Sequence, residues 1–150
     1  MNSHSDETET IRRLFAKHVP EVVSGTVEIR GVARHVGERS VVAVGSKQAS
    51  VDTVGACVGH RGSRVKPMVA ELSGEMIDIV RWEDSIERFI ANLLVPMQFL
   101  RVSFEQETHV VTVILARDSK RLAPEVVALR AKLLLLLTRW NLKLELLNER

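Results

Sequence analysis

The sequence predicts an α+β protein of two small tandem units, each a three-stranded sheet with helices packed on one face. Three observations carry that prediction. Apolar residues recur at helical spacing and then in alternation, and this change of period occurs in each half of the chain. A glycine-bounded corner, Gly59-His60-Arg61-Gly62, separates two helical runs in the first half. The second half repeats the element order of the first: helix, two strands, a helical region, strand. The boundary is placed between residues 82 and 83, giving units 1–82 and 83–150. Units this small are marginal alone and are expected to lean on one another.

Residues 1–10 read as a frayed, acidic lead-in. Ile11, Leu14, Phe15, His18 and Val19 then recur at helical spacing. Pro20 is expected to end or kink that helix, and Ser24-Gly25 turns the chain. Residues 26–33 read as a strand. Gly37-Glu38 turns it into a second, valine-rich strand over 39–46. Asp52 is a suitable N-cap for a short helix over 53–58. After the glycine corner, Val65, Met68, Val69 and Leu72 mark a helix over 64–72, which Ser73-Gly74 closes. Residues 76–80 form the third strand.

In the second half, Asp84 with Glu87 makes a capping box for a helix that runs through Leu94 and ends at Pro96. Residues 99–104 and 110–115 read as strands joined by a polar turn. Residues 117–122 are short and basic. Pro124 or Glu125 opens a long helix to Thr138, and residues 141–146 alternate as a final strand.

Composition narrows the function. A net charge of +2 is too small for a polybasic coat, so nucleic-acid binding would need local placement of charge. The single cysteine, Cys57, allows no internal disulfide, reads as a small buried hydrophobe and fits a reducing cytoplasm. The polar, acidic start does not read as a signal peptide. Leu133–Leu137, bounded by Lys132 and Arg139, is too short to span a bilayer, so no membrane association is expected. The five histidines have no metal-ligand spacing, and no nucleophile–base or paired-carboxylate arrangement can be argued. The reading is therefore a binding protein with no cofactor and no metal, not an enzyme.

The corner supplies the candidate site. Its glycines allow close backbone approach. The following helix start offers free N–H groups. His60, Arg61, Arg64 and Lys66 cluster there with no acid until Glu71. This is a seat for a phosphate chain. Tyrosine is absent and aromatics make up 4% of residues, so bases are expected to rest on Val58, Val65 and the second strand rather than on stacking rings.

The residues Val19-Pro20-Glu21, Gly25-Thr26-Val27-Glu28-Ile29, Val54 through Arg64, Gly74-Glu75, Ile77-Asp78-Ile79 and Phe89-Ile90-Ala91-Asn92 carry a resemblance. The chain resembles the tandem KH region of the bacterial NusA transcription-factor family, strongly from about Arg13 to Pro96 and weakly beyond. The resemblance implies two type II KH-like domains of order αββααβ. It further implies binding of single-stranded RNA in transcription elongation, termination or antitermination, with RNA polymerase or other transcription factors as further partners. By carry-over, Gly59, His60, Arg61 and Gly62 contact the RNA backbone, with Ser63, Arg64 and Lys66 helping to hold phosphates.

Two departures accompany it. The family's long N-terminal polymerase-binding domain and its oligonucleotide-binding barrel are not in this sequence, which suggests a stand-alone KH protein. The second unit has Pro124 followed by Glu125-Val126-Val127-Ala128 where a second glycine turn belongs. Glu125 repels phosphate, so this unit is expected not to bind RNA by that route. The five leucines Leu133–Leu137 point all around a helix and suggest a surface for self-association. The alternative function is a protein-interaction adaptor that keeps the fold with weak or no RNA binding.

Overall fold

A computed structural model describes residues 3–147, with side chains from Glu7 onward. The elements run α1 (Ser3–His18), α2 (Pro20–Ser24), β1 (Glu28–His35), β2 (Arg39–Gly45), α3 (Thr53–Val58), α4 (Val65–Glu71), β3 (Met76–Arg81), α5 (Ile86–Leu94), β4 (Phe99–Glu105), β5 (Val110–Leu115), α6 (Pro124–Thr138) and β6 (Asn141–Leu146). The chain divides into two compact units, residues 1–83 and 84–150. The protein is α+β, with two tandem KH-like units.

In the first unit the sheet order is β1-β2-β3, β1 antiparallel and β3 parallel to β2. Val32, Val42, Val44 and Ile77 join Ile11, Phe15, Val19, Cys57 and Met68 in the core, so α1, α3 and α4 share one face of the sheet. Several expected boundaries move. Helix α1 reaches back to Ser3, where a frayed lead-in was expected. Pro20 opens a second short helix at its first turn, where the missing N–H costs nothing. Strand β1 starts at Glu28 rather than Thr26.

Charged pairs tie the elements together. Lys17 Nζ donates to Glu71 at 2.8 Å and His18 meets the same carboxylate, fastening α1 to α4. Lys17 and then His18 hold the Glu71 carboxyl below its ordinary range. Glu75 is 1% exposed. Its carboxylate accepts from Arg34 Nε at 2.9 Å and Nη2 at 2.9 Å, from the Gly37 N–H at 2.9 Å and from Ser40 Oγ at 2.8 Å. All of this acid's oxygens are occupied, as a buried charge requires.

The second unit repeats the ladder. Its order is β4-β5-β6, again antiparallel then parallel. A register shift lies between Ile29 and Gly31 in β1 and between Phe99 and Arg101 in β4. The Met76 N–H donates to Glu38 O and the Trp82 N–H to Val44 O. The Asn141 N–H donates to His109 O and the Leu147 N–H to Leu115 O. The third strand of each unit is thus bracketed at both ends by matching hydrogen bonds.

Two sequence expectations are corrected here. The cap of α5 is Ser85, whose hydroxyl accepts from the Arg88 N–H at 3.3 Å, and not Asp84. The two helices that the order αββααβ implies between the second and third strands are not both present in this unit, where the short basic stretch 117–122 is a turn followed by an irregular connection. That stretch is held where Ser119 Oγ accepts from the Gln98 N–H at 2.8 Å and donates to Lys120 O. The second unit therefore has one helix between its second and third strands, where the first has two.

Candidate nucleic-acid interface

The corner is built from the end of α3 and the start of α4. Asp52 caps α3 by accepting from the Gly55 N–H at 3.0 Å. Gly59 ends α3 at φ 77°, ψ 166°, and Gly62 lies at φ 78°. Arg61 between them is left-handed at φ 55°, ψ 31°, a conformation unusual for a residue with a Cβ. His60 and Arg61 stand exposed at the tip, and Gly62 is buried beneath them.

The space above each glycine is filled from within. A Cβ on Gly59 would lie 2.6 Å from Ser63 Oγ, 2.8 Å from Arg64 Cγ and 2.9 Å from the Arg64 amide nitrogen. On Gly62 it would meet the Lys66 stem at 3.0 Å. The missing side chains at these glycines leave room for the chain's own Ser63, Arg64 and Lys66.

The expected free amides are also partly consumed. The Gly62 N–H donates to Gly59 O, Ser63 to His60 O and Arg64 to Val58 O, each at 3.0 Å. Arg64 is half-buried and engaged. Its Nη1 donates to Ala56 O at 2.7 Å and to Glu21 Oε1 at 2.8 Å. The acid-free stretch seen in sequence thus acquires an acid in space, Glu21 of α2. Nothing local announces this, because the partners are 43 positions apart.

The other expected residues divide between tip and wall. Ser63 and Lys66 are exposed beside His60 and Arg61. Among the described residues, no ion pair engages His60, Arg61 or Lys66. Val58 is half-buried at the end of α3, and Val65 is half-buried against the core. Helix α3 packs mainly on β3, so the strand beside the corner is the edge strand β3 as well as β2. Cys57 is fully buried, and burial and then the Glu21 carboxylate push its thiol up to about 12 against the pull of Arg64. No thiolate chemistry is available at that value.

Among its described residues, the second unit has no such corner. Helix α6 begins at Pro124 and runs unbroken through Glu125–Ala128, where a second glycine turn would stand. It ends at Arg139, left-handed at φ 67°, two residues before β6, as Gly74 (φ 98°) stands two residues before β3. The leucine run is split. Leu133 and Leu134 are fully buried, while Leu135 and Leu136 are 39% and 47% exposed.

Residues 5–82 match the NusA-like first KH domain family. The chain belongs to the NusA-like first KH domain family. The NusA-like match holds the whole corner and every candidate contact residue. The chain is 41% identical over 135 residues to the transcription termination/antitermination protein NusA of Halalkalibacterium halodurans, covering 90% of this chain and 35% of that protein. It is likewise 41% identical to NusA of Bacillus subtilis, covering 90% of this chain and 36% of that protein. The chain therefore spans about a third of these NusA relatives. The crystal structure of APE1850 shares the fold, with a TM-score of 0.62 over 90% of this chain and 96% of that one at 18% identity. Among the described residues, no helix is long and apolar enough to cross a membrane.

Proposed function

We propose that the first unit binds the ribose–phosphate backbone of single-stranded RNA across the tip of the Gly59–Gly62 corner, as a NusA-like factor in transcription termination and antitermination. The supporting observation is the exposed His60–Arg61 tip beside Lys66, cationic and without a counter-charge among the described residues. Arg61, Lys66 and the polar His60 and Ser63 meet phosphates, while Val58 and Val65 form the apolar wall on which bases rest. Phosphate contacts supply affinity here, and the lack of stacking rings keeps it modest.

Titration of labelled single-stranded RNA and DNA at several salt concentrations tests the reading. The two cationic phosphate contacts, Arg61 and Lys66, give a log–log salt slope of about −1.4 on single strands. Absence of binding at low salt overturns the reading, and equal binding of DNA removes the preference for RNA. Retention of RNA polymerase on the immobilised chain is the expected result for a role in transcription, and its absence assigns the chain to general RNA handling.

A second reading, a protein-interaction adaptor, is favoured by one observation, the exposed pair Leu135 and Leu136 on α6. A self-associating surface would run through this pair. Sedimentation velocity is then expected to show a concentration-dependent dimer that Leu136→Lys removes. A wild-type monomer at high concentration ends this idea.

A further inference from the structure

Arg64 is the residue that sequence reasoning would place on a phosphate, and its surroundings give it a different task. Its side chain leaves the start of α4, passes with Cγ under the bare face of Gly59 and ends on two acceptors. One is Ala56 O in the last turn of α3, and the other is Glu21 in α2. Its own amide donates to Val58 O. One residue thus joins α2, the end of α3 and the start of α4, the elements that fix the angle of the corner.

The charge distribution points the same way. Glu21 lies 2.8 Å from the guanidinium, and both side chains are about a third exposed. A phosphate recruiting Arg64 would have to displace that carboxylate and an Ala56 carbonyl bond, and would leave Glu21 facing the RNA as a repelling charge. Arg61 faces no such competition. It is exposed and left-handed at the tip, between Gly59 and Gly62 in the corner.

We infer that Arg64 is a positioning residue, a strut whose counter-charge is Glu21, and that the phosphate contacts fall to Arg61 and Lys66 instead. This inference rests on the RNA reading for its effect on affinity, but the strut itself can be measured without RNA. Gly59 is then explained by the strut: a side chain there would push on the Arg64 stem and backbone.

The test uses the full chain and a fluorescein-labelled single-stranded RNA of mixed sequence. Dissociation constants are read across a salt series and melting temperatures are read in parallel. Arg64→Met keeps the stem and removes both donors. It is expected to lower the melting temperature and weaken binding about tenfold, with the salt slope unchanged. Glu21→Gln is expected to act in the same direction, again with the slope unchanged. Arg61→Ala is expected to flatten the slope by about 0.7, the loss of one phosphate contact, with the melting temperature unchanged.

Two results overturn the strut. One is a slope flattened by Arg64→Met at an unchanged melting temperature. The other is tighter binding and a steeper slope in Glu21→Gln, which would show a freed Arg64 reaching a phosphate. If Arg64→Met does not fold, Glu21→Gln decides alone. If the wild type binds no RNA, the RNA reading fails, and the Glu21→Gln/Arg64→Met thermal cycle still judges the strut. Non-additive losses support it and additive ones overturn it.

Discussion

Aspartate at both His60 and Arg61 is expected to weaken single-stranded RNA binding at least about 100-fold while the first unit stays folded. The pair sits at the exposed tip, so the substitution turns a cationic surface into an anionic one facing the phosphates. Two unit charges about 4 Å apart interact by about 4 kcal/mol at an effective dielectric of about 20. Salt screening removes part of that, and about 2.7 kcal/mol is enough for a 100-fold loss. The fold is expected to survive for a local reason. Arg61 occupies a left-handed conformation, which aspartate tolerates better than most residues with a Cβ. Exposed substitutions away from special contacts move stability by about 0.5 kcal/mol or less. Placing aspartate on the glycines instead would be a poorer experiment, because at Gly59 it meets the Arg64 backbone. Binding within threefold of wild type would move the interface elsewhere.

The second large effect concerns stability. Glu75→Gln is expected to destabilise the first unit by about 3–5 kcal/mol, as for other broken buried ion pairs. The Arg34 side chain is 8% exposed and would keep its charge with no carboxylate beside it. For a unit of this size each kcal/mol shifts the melting temperature by about 4–8 °C, so the variant is expected to melt at least 10 °C lower. A loss under about 1 kcal/mol would show that water replaces the carboxylate.

The pair also predicts a pH dependence. Burial pushes the Glu75 carboxyl up. Hydrogen bonds from Arg34, the Gly37 N–H and Ser40 together outweigh burial and leave it below its ordinary value of 4.5. A carboxyl lowered by folding adds stability that is complete above the unfolded value and drains away as pH falls through the folded one. Chemical denaturation of the wild type at pH 7 and pH 3.5 is therefore expected to lose stability that Glu75→Gln does not lose.

What could be read from sequence was local or periodic. The alternation of the strands, the Asp52 cap, the glycine corner and the duplicated order all write themselves into neighbouring residues. The features that escaped are made by distant partners or by competition between adjacent candidates. Asp84 and Ser85 both cap helices well, and only the backbone path selects Ser85. The basic stretch over 117–122 shows no period that assigns it an element, and Ser119 fixes it as a strap through partners on either side. Glu21 and Arg64 are 43 positions apart, and Arg34 and Glu75 are 41 apart. No window along the chain relates them. The candidate corner was therefore legible from its glycines, while the support for its conformation is legible only in the folded chain.

The matching hydrogen bonds that bracket β3 and β6 separate the chassis of this fold from its cargo. One repeat carries a helix and a glycine corner between those anchor points. The other carries a plain strap, yet the strand lattice closes in the same register. Because closing a longer or shorter excursion changes the entropy only slowly with length, such a frame can gain or shed its working part with little penalty to folding.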